Sequence, residues 1–135
     1  CLFIAECMDS DIFKIIFMMG AYIAVMDVFG THRNYILTPE AIANMLLHHI
    51  LIMYILLGGF FRSWVGTRVH LGICILVSAL WFRNRGCLMT QWQKEDIPYT
   101  DWDLECIHGS YEDSMKLHLF IMMPVIAYDF YKILQ

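Results

Sequence analysis

Basic residues are scarce in this sequence. Lysine and arginine number nine in 135 residues and never form a run, against thirteen acids and a formal net charge of −4. Phosphate backbones and anionic headgroups are held by clustered Lys and Arg. Nucleic acid is therefore not an expected partner, and no patch for anionic lipid is expected either. Chemistry-bearing motifs are equally thin. No CxxC, CxxCH, GxSxG, HExxH, P-loop or dinucleotide fingerprint occurs, so the local signatures of thiol redox, covalent haem attachment, hydrolase and nucleotide chemistry are missing. No spacing among the carboxylates picks out an acid/base pair. An enzyme is not expected, nor is a cofactor.

Long apolar runs are what the chain does have. Hydrophobic residues make up 59% and charged residues 16%, where soluble domains hold about 45–50% and about 25%. Ala41 to Phe61 contains no Asp, Glu, Lys or Arg, and about 20 apolar residues span the roughly 30 Å hydrocarbon core as a helix. A soluble domain of this size has room for one such core helix; this chain has three or four candidates. The fold class expected is all-α, a single membrane domain over 1–135, built as an up-down bundle of 3–4 transmembrane helices.

The helices are expected at about 12–29, 41–61, 66–82 and 115–134, with a polar surface loop at 83–114. In the first, Ser10 reads as the N-cap with Asp11 in the first turn, and Gly20 with Ala24 lets another helix approach closely. The acids Glu6, Asp9 and Asp11 precede it where a signal peptide would carry basic residues. A start at Cys1 rather than Met reads as a processed or partial product. The second helix opens on Thr38 as N-cap, Pro39 at the first helical position and Glu40. A short link carrying Trp64 predicts an antiparallel hairpin of helices two and three. Helix three is short and spans if Arg68 and Arg83 snorkel or if it begins near Trp64; otherwise it is re-entrant. Helix four contains Pro124 and either spans or lies partly in the interface. Positive charge falls almost evenly on the two sides, so orientation is left open.

Loop 83–114 gathers seven acids with Trp92, Tyr99, Trp102 and Tyr111 interleaved. It is too aromatic for a disordered tail and reads as a contact surface for neighbouring proteins. Cys87 and Cys106 share it, either as free thiols or as a disulfide in an oxidising compartment. Cys87, Cys106 and His108 lack a fourth ligand and finger spacing, so no metal site is read there.

Ionisable residues inside apolar segments need a partner or a purpose. Asn44 and His48 share one face of helix two; His70, Cys74 and Ser78 form a stripe on helix three, followed by Trp81; His118 and Asp129 share a face of helix four. Two structural polar clusters are expected, Asp27 with His48, and Asp129 with Arg68 or His70. The sharper reading is a bis-His haem site drawn from His48, His49 and His118; plain stitching of the bundle is the favoured one.

The passage Trp81-Phe82-Arg83-Asn84-Arg85-Gly86-Cys87-Leu88-Met89-Thr90-Gln91-Trp92, with the pair His48-His49, Tyr54 and Gly58 upstream, resembles a signature of small multi-pass membrane proteins of large DNA viruses infecting algae and protists. One Asn stands where several are usual, and Gln91 where Glu is common. The resemblance implies a virion inner-membrane or minor-capsid-type protein with the lipid bilayer and neighbouring proteins as partners. It transfers no chemistry. Independently, Asn84 with Gly86 reads as a turn and Trp81 as a headgroup anchor. An accessory subunit of a respiratory or transport complex in an organellar membrane, touching haem, quinone or lipid, is the alternative. A channel is disfavoured because the polar residues cluster toward the helix ends.

Overall fold

The computed structural model describes residues 2–30, 38–89 and 111–135, with side chains from residue 9 of the first stretch and residue 115 of the last. Among the described residues there are four long helices and no strand: α1 (Leu2–Phe29), α2 (Pro39–Leu57), α3 (Trp64–Asn84) and α4 (Tyr111–Leu134), with a 3-10 turn at Gly58–Phe60 between α2 and α3. All four contain a stretch long and apolar enough to cross a membrane.

The boundaries follow local chemistry, and several differ from the sequence reading. α1 begins at Leu2 rather than near Ile12. No Gly or Pro interrupts residues 2–12, so nothing starts the helix late. Ser10 is therefore inside the helix rather than its cap, and Asp11 pairs with Lys14 one turn on, at 2.9 Å. α2 starts as expected: Thr38 Oγ1 accepts from the Ala41 N–H at 3.1 Å, with Pro39 at the first helical position. It stops at Leu57 instead of continuing to Phe61, tightening into the 3-10 turn at Gly58-Gly59. Ser63 caps α3, its Oγ accepting from the Gly66 N–H at 2.9 Å. α3 thus opens at Trp64, and its 21 residues reach about 31 Å at 1.5 Å each, enough to span without snorkelling. It ends in a left-handed residue, Arg85 (φ 55°), followed by Gly86 (φ 149°), whose N–H returns to the Trp81 carbonyl at 3.0 Å. Asn84, read as part of the turn, stays helical and donates to Leu80 O at 2.8 Å. α4 starts at Tyr111, inside the stretch read as loop, and runs through Pro124.

Packing is pairwise. α1 lies on α2, and α3 on α4, while α2 and α3 touch only lightly beyond their connector. The expected close hairpin of α2 and α3 is therefore replaced by two hairpin-like pairs. The reason lies in side-chain size. Gly20 and Ala24 give α1 a flat face, and a Cβ on Gly20 would lie 2.6 Å from Ile50 Cα of α2. Ala24 is buried there, and Ala41 with Met45 packs against Val28 near the far end of the pair. On the other side Ile55, Cys74 and Met122 form the core between α2, α3 and α4. The N-terminal part of α1 around Asp9, the last turn of α4 at Lys132 and the 58–63 connector gather at one end of the bundle, as up-down topology requires.

That connector is tied from two other helices. Asp9 of α1 accepts from the Arg62 N–H (2.6 Å), the Ser63 N–H (3.1 Å) and the Ser63 hydroxyl. A carboxylate here satisfies backbone donors at the positive end of α3. From α4, Lys132 Nζ donates to Gly59 O at 2.9 Å and to Phe61 O, placing a cation on carbonyls at the negative end of α2. Asp9→Ala is expected to cost about 1–2 kcal/mol, the range of a lost N-terminal cap. Unfolding of detergent-solubilised protein followed by tryptophan fluorescence would measure it; a loss below a few tenths of a kcal/mol would mean that water replaces the carboxylate.

Candidate functional site

Two polar stripes face each other along the α3–α4 seam. On α3, residues 67, 70, 71 and 74 are buried, the spacing of one helix face. On α4, Met115, His118, Met122 and Asp129 are the buried members. The helices run antiparallel, so Ser78 meets His118, Cys74 meets Met122 and His70 meets Asp129.

The His70 end carries the densest chemistry. His70, Cys74 and Asp129 are all fully buried. His70 Nδ1–H donates to Asp129 Oδ2 at 2.6 Å. Its Nε2 lies 3.2 Å from the Ile55 carbonyl and 3.5 Å from Cys74 Sγ. Nδ1–H thus has a carboxylate acceptor, while Nε2 faces both a carbonyl, which only accepts, and a thiol, which can donate or accept. Ile55 O is one of the last carbonyls of α2, where the helix leaves acceptors unsatisfied. Tyr54 packs edge-on to the imidazole at 5.2 Å between ring centres, with Phe61 at 6.2 Å. Gly58 admits the ring: a Cβ there would fall 2.8 Å from His70 Cγ and nearer still to Cδ2 and Nε2. One oxygen, Asp129 Oδ1, is buried with no hydrogen-bond partner among the described residues.

A second polar group lies on the α1–α2 side. His49 Nε2 is 3.7 Å from Asp27 Oδ2, and its Nδ1–H reaches Met45 O at 2.7 Å. His48 points to a different neighbour, its Nε2 lying 3.5 Å from Cys87 Sγ. Asn44 Nδ2 donates to Met89 O at 2.9 Å, so Asn44 and His48 together hold the segment that follows α3.

The structure thus brings Asp129 to His70, whereas Arg68 lies over the exposed Trp64 ring, 3.3 Å from its centre. Asp27 Oδ2 lies against His49, while His48 faces Cys87. Adjacent helical residues point about 100° apart, so only one of two neighbouring histidines faces α1. The three histidines considered for haem have separate engagements. His118 donates to or accepts from Ser78 Oγ at 3.1 Å and stacks on Trp81 at 4.5 Å. Trp81, read as a headgroup anchor, is turned inward by that stack. Trp92, Tyr99, Trp102, Cys106 and His108 lie outside the described residues, as does the side chain of Tyr111. Asp9, Ser63 and Lys132 were missed as structural residues. Ser63 before an apolar run was a legible cap, but the other two act across the fold.

These features define an all-α, multi-pass bundle with four helices long and apolar enough to span a membrane, and polar side chains used between helices. Comparison with known protein families, curated proteins and solved structures found nothing that matches this chain.

Proposed function

We propose that the chain is a structural, non-enzymatic component of a membrane assembly, a helical bundle that tethers its bilayer to neighbouring proteins through region 83–114. The observation that carries this reading is the apolar exterior. Only 17–22% of the residues in each span are buried within the chain, and large side chains such as Phe13, Met18, Leu47, Val65 and Phe120 stand exposed on all four helices. A surface of that kind is stable only when lipid or protein covers it. The polar residues support the same reading, because their bonds run between helices and serve the bundle itself. The sequence passage Trp81 to Trp92, by its resemblance to small membrane proteins of large DNA viruses, supports a virion inner membrane beneath a capsid.

The test is photo-crosslinking in the native assembly, with a crosslinking amino acid replacing Trp92, Tyr99 or Trp102 in turn. Adducts to a shell or minor-capsid protein are the expected result. Adducts to respiratory or transport subunits would replace the viral reading with that of an accessory subunit. Adducts to lipid alone would overturn the tethering role.

A further inference from the structure

We infer that His70, Cys74 and Asp129 form a binding site for a divalent transition-metal ion of the zinc class. The inference is independent of the assembly role above. One ligand atom from each of the three residues lies within 4.8 Å of the other two. An imidazole nitrogen, a thiolate and a carboxylate are the donor types that zinc takes, at about 2.0–2.3 Å. Tetrahedral geometry at those bond lengths puts neighbouring ligand atoms about 3.3–3.7 Å apart, so side-chain rotations of order 1 Å close the set. His70 and Cys74 are one turn apart on α3 and share its buried face, with Sγ 3.5 Å from the imidazole at Nε2.

The second observation is Asp129 Oδ1, the carboxylate oxygen buried without a hydrogen-bond partner among the described residues. A hydrogen bond to His70 uses one carboxylate oxygen and leaves the other unsatisfied at a cost. An ion with full positive charge compensates both oxygens. Charge balance points the same way: a divalent cation with one thiolate and one carboxylate is neutral, which a low-dielectric bundle favours.

Binding is an exchange of protons for metal. The ion takes the position of the proton between His70 and Asp129, whose N and O atoms separate from 2.6 Å to about 3.3 Å. His70 binds through Nδ1 as the neutral imidazole with its proton on Nε2, and the Cys74 thiol gives up its proton to solvent, so no electron moves. Three protein ligands leave a fourth position for water, while the Ile55 carbonyl, 3.2 Å from Nε2, accepts the proton that remains on the imidazole.

The experiment is a cobalt(II) titration of the full chain in detergent or nanodiscs after chelator treatment. Expected are one equivalent bound, a thiolate-to-cobalt charge-transfer band in the near ultraviolet with tetrahedral visible bands, and their displacement by zinc. Cys74→Ser should abolish the charge-transfer band, and Asp129→Asn should weaken binding about tenfold or more. A variant with Cys1, Cys7, Cys87 and Cys106 changed to Ser should keep the band, and circular dichroism checks that each variant stays helical. A wild-type titration with no thiolate band would overturn the site and leave a histidine–carboxylate pair. A band that survives Cys74→Ser would overturn it too, placing the metal on another cysteine.

Discussion

Gly58→Ala is expected to be severely destabilising, although every local rule predicts the opposite sign. Gly58 has an ordinary helical conformation, φ −64° and ψ −21°, and there alanine is about 1 kcal/mol better than glycine. The backbone would accept the change. The obstacle is His70. The new Cβ would sit 2.8 Å from its Cγ and closer to Cδ2 and Nε2. The ring cannot step aside, because Asp129 holds Nδ1 and the Ile55 carbonyl faces Nε2. Overpacking of this kind costs about 1–3 kcal/mol. If the ring is pushed off Asp129, leaving that buried carboxylate without its partner adds about 3–5 kcal/mol. Unfolding in mixed micelles, followed by circular dichroism, measures the total. A smaller side chain at position 70, such as His70→Asn, should recover part of the loss in the Gly58→Ala background, because it removes the ring yet still donates toward Asp129. A Gly58→Ala variant as stable as the parent would show that the connector relaxes and that the close approach has no energetic weight.

Asp129→Ala should cost about 3–5 kcal/mol in metal-free protein, by leaving a buried imidazole without its carboxylate. The paired replacement His70→Leu with Asp129→Leu should cost much less, since removing both partners of a buried pair is often close to neutral. The signature is non-additivity: the double variant is more stable than the two single losses predict, with a coupling of about 0.5–3 kcal/mol. Additive losses would mean that the two residues act separately and that the 2.6 Å contact contributes little. The contrast with Asp27 is informative. Its contact with His49 is longer, 3.7 Å, and both side chains retain about a fifth of their exposure, so Asp27→Ala belongs in the range of partly exposed pairs, about 1 kcal/mol or less.

Much of this architecture is readable from local pattern. Predominantly apolar runs mark the helices, and Thr38-Pro39-Glu40 marks the start of α2 with a mechanism that does not depend on the rest of the chain. The inward stripes His70–Cys74–Ser78 and His118–Asp129 follow from the 3.6-residue period. Less legible were the ends of α1 and α4. An apolar run reports where lipid begins, whereas a helix continues through Asp9, Ser10 and Asp11 or through residues 111–114 as long as nothing breaks it. The early stop of α2 at Leu57 was likewise hidden, because Phe60 and Phe61 continue the apolar composition while Gly58-Gly59 changes the geometry.

The sequence by itself determined the all-α class, four apolar segments of which three or four were expected to span, the cap of α2 and the residues that must face inward. Each depends on side chains within a few turns of one another, where spacing and bonding geometry are known in advance. Only the tertiary structure decided that α1 packs on α2 and α3 on α4, that His49 rather than His48 reaches Asp27, and that the stripes of α3 and α4 meet to bury His70, Cys74 and Asp129 together. It also decided that Asp9 and Lys132, from opposite ends of the chain, close the same connector. Those outcomes depend on the depth and rotation of one helix against another. Which small residues permit close approach, and which polar atoms then lack water, sets both, and no stretch of contiguous sequence carries that information.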